Sequence, residues 1–241
     1  MKKKNIFMGI VGAICFGIGD WLLGYVDATP VIGTAFEYIK VGHGVNYNTA
    51  RAIIAMALGT IGMLFYYPAF IHMADVVEDK VVRSRLNYMF GATAFAWLVI
   101  HYFYGINVYC YAWMMQNGGE VLAGELSKAL KNALTWGVVF AYIPLLVPNV
   151  VHLLEIIKGK TTSSKAAVFF HPLLWMLILN VVSNILPTSK FSYGLYTFCV
   201  NAGMLIWFGY LLFVDARKAK RIIESEKNED ELTRCSANNR M

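Results

Sequence analysis

The sequence predicts an all-α, polytopic transmembrane helical bundle of six spans with both termini cytoplasmic. Three observations carry this expectation. Hydrophobic residues fill 58% of the 241 positions and charged residues only 15%, against about 25% charged in an ordinary soluble domain. The apolar residues gather into six stretches, each near the ~20 residues that a ~30 Å hydrocarbon core requires. Most of the basic residues fall in the termini and alternate connections that would share one side, as the positive-inside rule demands. The same figures exclude a disordered chain and disfavour a soluble globular domain.

The spans are expected at about 6–26, 52–74, 88–114, 132–157, 167–187 and 193–214, forming one transmembrane domain over 1–214. The third and fourth are long, so tilt or extension beyond the bilayer is expected there. With the N-terminus in the cytoplasm, 16 of the 21 Lys and Arg residues fall on the inner side. They include Lys2–Lys4, Lys80, Arg83, Arg85, Lys158, Lys160, Lys165 and the group around Arg217. Lys40, Arg51, Lys128, Lys131 and Lys190 remain outside. The net charge of +6 is therefore a topology signal and not a nucleic-acid footprint. Localisation in the cell membrane follows.

Residues 1–28 also carry the marks of a signal peptide: a basic start, an apolar run and Val26-Asp27-Ala28. The run is longer than the usual 7–15 residues and contains Asp20, so it is read as a retained span. The outer connection 27–50 is rich in Gly and Asn and reads as a folded outer loop, with a re-entrant segment as the alternative. Gln116-Asn117-Gly118-Gly119 is a turn signal. The tail 215–241 is basic and helical at first; Glu224–Glu231 is acidic and expected to fray. No internal repeat is found. The four cysteines show no CxxC and no ligand spacing, so no metal and no disulfide framework is expected.

Ionisable groups inside spans are costly and call for a partner or a purpose. Asp20 lies in the outer third of span one. At 100° per residue it shares a face with Gly9, Ala13, Gly17 and Gly24, so it points into the bundle. Arg51 at the mouth of span two is its candidate ion partner. His101, mid-span three, shares a face with Ala94, Gly105 and Ala112 and also looks inward. Asn180 and Asn184 of span five and Asn201 of span six lie at similar depth, and could line one outer-half cavity with Asp20 and His101. Helix glue is the bland alternative for the asparagines.

Span four carries Pro144 and Pro148, which predict a kink, then Asn149, His152 and Glu155. His152 and Glu155 at i, i+3 suit a general base with an orienting carboxylate, or a simple interfacial anchor. Aromatic residues crowd span three, among them Trp97, Tyr102 and Trp113, and would suit a cage for an amine or an ordinary interface belt. No hydrolase, zincin, nucleotide-loop or channel-filter motif is present. His72, His152 and His171 lie near inner span ends, but too close to the surface for a convincing haem, so no cofactor is expected.

The string Gly19-Asp20-Trp21-Leu22-Leu23-Gly24-Tyr25 resembles the first span of an uncharacterised group of bacterial multi-span membrane proteins. The resemblance implies a similar span layout and adds weight to Asp20; it implies no activity. Three function classes remain. The first is a small-molecule transporter or ligand-binding protein centred on Asp20. The second is a membrane-embedded enzyme on a lipid-like substrate, using His152 with Glu155 or Asp20 with His101. The third is an accessory subunit. The bilayer and a small-molecule or lipid ligand are the expected partners; nucleic acid is not.

Overall fold

The computed structural model describes residues 1–25, 48–187 and 189–238. The outer loop, with its re-entrant alternative and the Val26-Asp27-Ala28 feature, lies outside the described residues. Six α-helices follow in order: α1 Lys3–Gly24, α2 Thr49–Phe70, α3 Lys80–Asn117, α4 Glu120–Ile157, α5 Pro172–Ile185 and α6 Lys190–Asn238. Short 3-10 turns precede α3, at Met73–Val76, and α5, at Lys165–Phe170. Five of the helices are long and apolar enough to cross a membrane. α5 is the exception. Its 14 residues reach only about 21 Å at 1.5 Å per residue, against a ~30 Å core. The fifth expected span is therefore a 3-10 turn followed by a short apolar helix.

Helix starts follow local chemistry. Asn48 caps α2 by accepting from the Arg51 amide at 2.7 Å. Asp79 caps α3, with Oδ1 accepting from Val81 and Val82 at 2.8 and 3.0 Å. These two bonds hold the exposed Asp79 carboxyl below its ordinary value of 3.8. The Gly118-Gly119 turn separates α3 from α4, and Gly119 takes a φ of 87° that suits glycine. α4 ends in a paired Schellman closure: Gly159 N–H bonds to Ile156 O and Lys160 N–H to Glu155 O, with Gly159 at φ 71°.

α4 runs on through both prolines. Pro148 has no N–H, so the carbonyl of Pro144, four residues back, loses its intrahelical donor. Thr93 of α3 supplies the replacement through its hydroxyl. α6 continues to Asn238 as one helix, including the acidic stretch expected to fray. Glu, Lys and Arg are strong helix formers, and here that local preference wins.

α1 packs between α2 and α6, antiparallel to both. Glycines allow the close approach. A Cβ on Gly12 would sit 2.8 Å from the Tyr66 amide nitrogen, one on Gly62 2.6 Å from that of Phe16, and one on Gly9 2.7 Å from the Phe208 ring. α3 packs on α2 and α4, and α5 packs on α6. Near the N-terminus of α1 the turns after α2 and after α4 meet in a two-residue β-bridge, Val77 with Thr161. Thr162 N–H donates to Val76 O at 2.8 Å and Glu78 N–H to Lys160 O at 3.1 Å. The Met1 amine lies 3.9 Å from Asp75 at this same bridged end. The core beside it is aromatic: Phe16, Tyr66, Phe70, Phe90, Trp207 and Phe208 are all fully buried.

Candidate functional site

Toward the opposite end of α1, three helices converge on one carboxylate. Asp20 Oδ1 lies 2.6 Å from His101 Nδ1 of α3. Asp20 Oδ2 accepts from Asn201 Nδ2 of α6 at 2.6 Å. Tyr66 of α2 donates its hydroxyl to Asn201 Oδ1 at 2.8 Å. The other imidazole nitrogen, His101 Nε2, lies 2.9 Å from the Ala55 carbonyl of α2. His101, Asn201 and Tyr66 are buried, and the Asp20 side chain keeps 14% of its surface exposed.

The hydrogen-bond pattern counts the protons. A carbonyl only accepts, so His101 Nε2 carries a hydrogen. One further proton then lies in the 2.6 Å contact between His101 Nδ1 and Asp20 Oδ1. On the carboxylate it makes a neutral acid–imidazole pair; on the imidazole it makes a carboxylate–imidazolium pair. The pair is neutral in sum either way, which is how an apolar interior tolerates it. Either placement leaves the outer hydrogen bonds to Asn201 and Ala55 unchanged.

Small residues make the convergence possible. A Cβ on Gly59 would fall 2.2 Å from His101 Nε2, and one on Gly19 2.8 Å from the Ala55 carbonyl oxygen. A Cβ on Gly17 would meet Phe198 at 2.3 Å and Asn201 Cβ at 3.1 Å. Phe16 packs against the imidazole at a ring separation of 4.6 Å.

Of the residues singled out from the sequence, Asp20, His101 and Asn201 meet. Asn180 and Asn184 do not join them. The Asn184 amide donates to the Asn180 carbonyl at 2.7 Å, one turn back along α5, and Asn184 is exposed. Spacing at i, i+4 lets such a pair satisfy itself within its own helix. Arg51 also has another task. It donates to the carbonyls of Leu22, at 2.6 Å, and Tyr25, and so closes the C-terminus of α1, where a cation is favoured. The Asp20 carboxylate has His101 and Asn201 as its partners instead. Tyr66 and the Ala55 carbonyl complete the network and were not singled out. One is a tyrosine among 14; the other is a backbone group without a sequence signature.

The second cluster also re-pairs. His152 Nδ1 faces His171 Nε2 at 3.1 Å. Glu155 faces Lys158 at 3.4 Å. The expected His152–Glu155 partnership is thus replaced by an imidazole pair between α4 and the start of α5. Asn149 donates to the Leu145 carbonyl at 2.7 Å within α4. The aromatics of span three divide: Trp97 is buried against Phe16 and Tyr66, while Tyr102 and Trp113 face outward. Among the described residues no group of three or more His, Cys, Asp or Glu is placed to hold a metal ion.

Residues 1–218 match the model of a family described as a family of unknown function, DUF6796. The chain belongs to this family. The match covers α1 to α5 and the apolar part of α6, and so every residue of both polar clusters. No curated protein and no solved structure matches the chain.

Proposed function

We propose that this DUF6796 protein is a multi-pass cell-membrane protein that binds a small solute and moves it together with a proton, with Asp20 and His101 as the proton-holding pair. One observation carries the reading: an acid and an imidazole from different helices share a proton at 2.6 Å, inside a bundle with five membrane-length apolar helices. A structural role alone would be served by neutral hydrogen-bonding residues at lower cost. The Asp20 side chain keeps 14% of its surface exposed, so the acid is not fully sealed within the bundle. The resemblance carried by Gly19 to Tyr25 adds to the weight on this acid.

The topology supports the same reading. The basic turns after α2 and α4 meet at the bridged end, where α1 begins and the apolar part of α6 ends. Basic residues favour the cytoplasmic side. That end therefore faces the cytoplasm, both termini with it, and α5 completes six membrane segments as the short member.

The test uses purified protein in liposomes that enclose a pH-sensitive dye. Small amines, inorganic cations and neutral solutes are added outside in turn. The expected result is a solute-driven pH change in the wild type that Asp20→Asn abolishes. Asparagine is isosteric and can donate to His101 Nδ1 while accepting from Asn201, so the fold is retained and only the proton is lost. A solute moved equally by the wild type and by a folded Asp20→Asn variant overturns the reading.

A further inference from the structure

A second polar site lies between α4 and α6 near the bridged end, and it is separate from the Asp20 network. His171 caps α5, and its Nδ1 accepts from the Leu173 amide at 3.2 Å. That nitrogen therefore has no hydrogen. The neutral ring must carry its hydrogen on Nε2, where it donates to His152 Nδ1 at 3.1 Å. His152 in turn carries its own hydrogen on Nε2. The tautomers are thus assigned by the network, starting from one backbone amide, and they leave His152 Nε2–H as a donor.

Among the described residues that donor has no protein partner, and neither does the indole N–H of Trp207. Both side chains are completely buried. Their rings are 5.4 Å apart at 90°. One turn back along α4, the Asn149 amide nitrogen is used on Leu145, but its Oδ1 has no partner. Asn149 is itself 5% exposed. Among the described residues, two donors at the α4–α6 contact and one acceptor a turn away on α4 are therefore left over. Groups of this kind are costly in an apolar interior unless something meets them.

We propose that this region is a binding position for one hydroxyl oxygen, held by His152 Nε2–H, Trp207 Nε1–H and Asn149 Oδ1. A hydroxyl accepts two hydrogen bonds and donates one, which matches the set left over. A carboxylate or a phosphodiester has no hydrogen for Asn149, and an ammonium has no lone pair for the two N–H groups. The oxygen belongs to an internal water or to the alcohol of a lipid-like ligand. His171 is a positioning residue here: it touches no ligand, and it fixes which nitrogen of His152 donates.

The experiment is nuclear magnetic resonance on the full chain in lipid nanodiscs, with 15N-labelled Trp and His. Trp207 is assigned with Trp207→Phe, or by substituting the other five tryptophans one at a time. The expected result is a cross-peak from both the Trp207 indole proton and the His152 Nε2 proton to one hydroxyl. A water gives that cross-peak at the water frequency; an alcohol adds cross-peaks to its own C–H protons. Both outcomes support the site and identify the source. The proposal is overturned if both protons show contacts only to aromatic rings and shift upfield, because the two N–H groups then rest on ring faces and hold no oxygen.

Discussion

Gly59 is the position where one methyl group tests the whole Asp20 network. In Gly59→Ala the new carbon would lie 2.2 Å from His101 Nε2 and 2.3 Å from Cδ2. The ring has nowhere to go. Asp20 holds one nitrogen at 2.6 Å, the Ala55 carbonyl holds the other at 2.9 Å, and Phe16 covers a face. Overpacking of this kind costs about 1–3 kcal/mol. Displacing the ring also weakens its two buried hydrogen bonds, worth about 0.5–1.5 kcal/mol each. Replacing a helical glycine by alanine returns about 1 kcal/mol. The net expectation is a loss of about 2–4 kcal/mol, or roughly 5–15 °C in melting temperature for a chain of this length. Thermal unfolding in nanodiscs reads it. The decisive comparison is the Asp20→Asn/His101→Ala background, which removes the ring without stranding a carboxylate. There Gly59→Ala should be neutral or stabilising by about 1 kcal/mol. Gly209→Ala, with nothing within 4 Å of its Cβ, controls for propensity. An equal cost of Gly59→Ala in both backgrounds would refute the account.

Tyr66→Phe removes the donor to Asn201 Oδ1, and about 1 kcal/mol of stability should go with it; an unchanged melting temperature would show that Asn201 is held without the tyrosine. Thr93→Val leaves the Pro144 carbonyl without its donor and should cost about 1 kcal/mol. That cost should shrink when Pro148→Ala restores the intrahelical N–H, as a double-mutant cycle measures. Asp79 has its carboxyl lowered by the Val82 and Val81 amides. Its contribution to stability is thus complete above the ordinary carboxylate value of 3.8 and is lost as pH falls through the lower, folded value. The stability gap between wild type and Asp79→Ala should be constant at neutral pH and close in strong acid; a gap that widens in acid would reverse the sign and sink the argument.

What the sequence makes legible depends on which group carries the information. Asp20, His101 and Asn201 were readable because each shares a helix face with small residues or sits at matched depth, and a lone acid in an apolar span stands out. Asn180 and Asn184 matched in depth too, but a polar pair one turn apart can close on itself, and spacing alone does not distinguish glue within a helix from a shared cavity. Arg51 was placed near the right helix, yet its attraction is to the free carbonyls that end α1, which no residue identity announces. His152 followed the nearest polar neighbour in sequence, Glu155, whereas the fold brings in His171 from beyond the turn. Five of the six apolar stretches correspond to helices of membrane length, whereas the fifth stretch is divided between a 3-10 turn and the 14-residue α5.

The Val77–Thr161 bridge has a mechanical consequence. It fastens the base of α3 to the base of α4 at the end where α1 begins. At their far ends the same two helices are joined by the Gly118-Gly119 turn. Two rods held at both ends form a closed frame that neither slides nor splays at a tip. His101 sits on one rail of that frame and Asp20 on α1 outside it, so a shift of α1 against the frame is registered at the acid–imidazole contact.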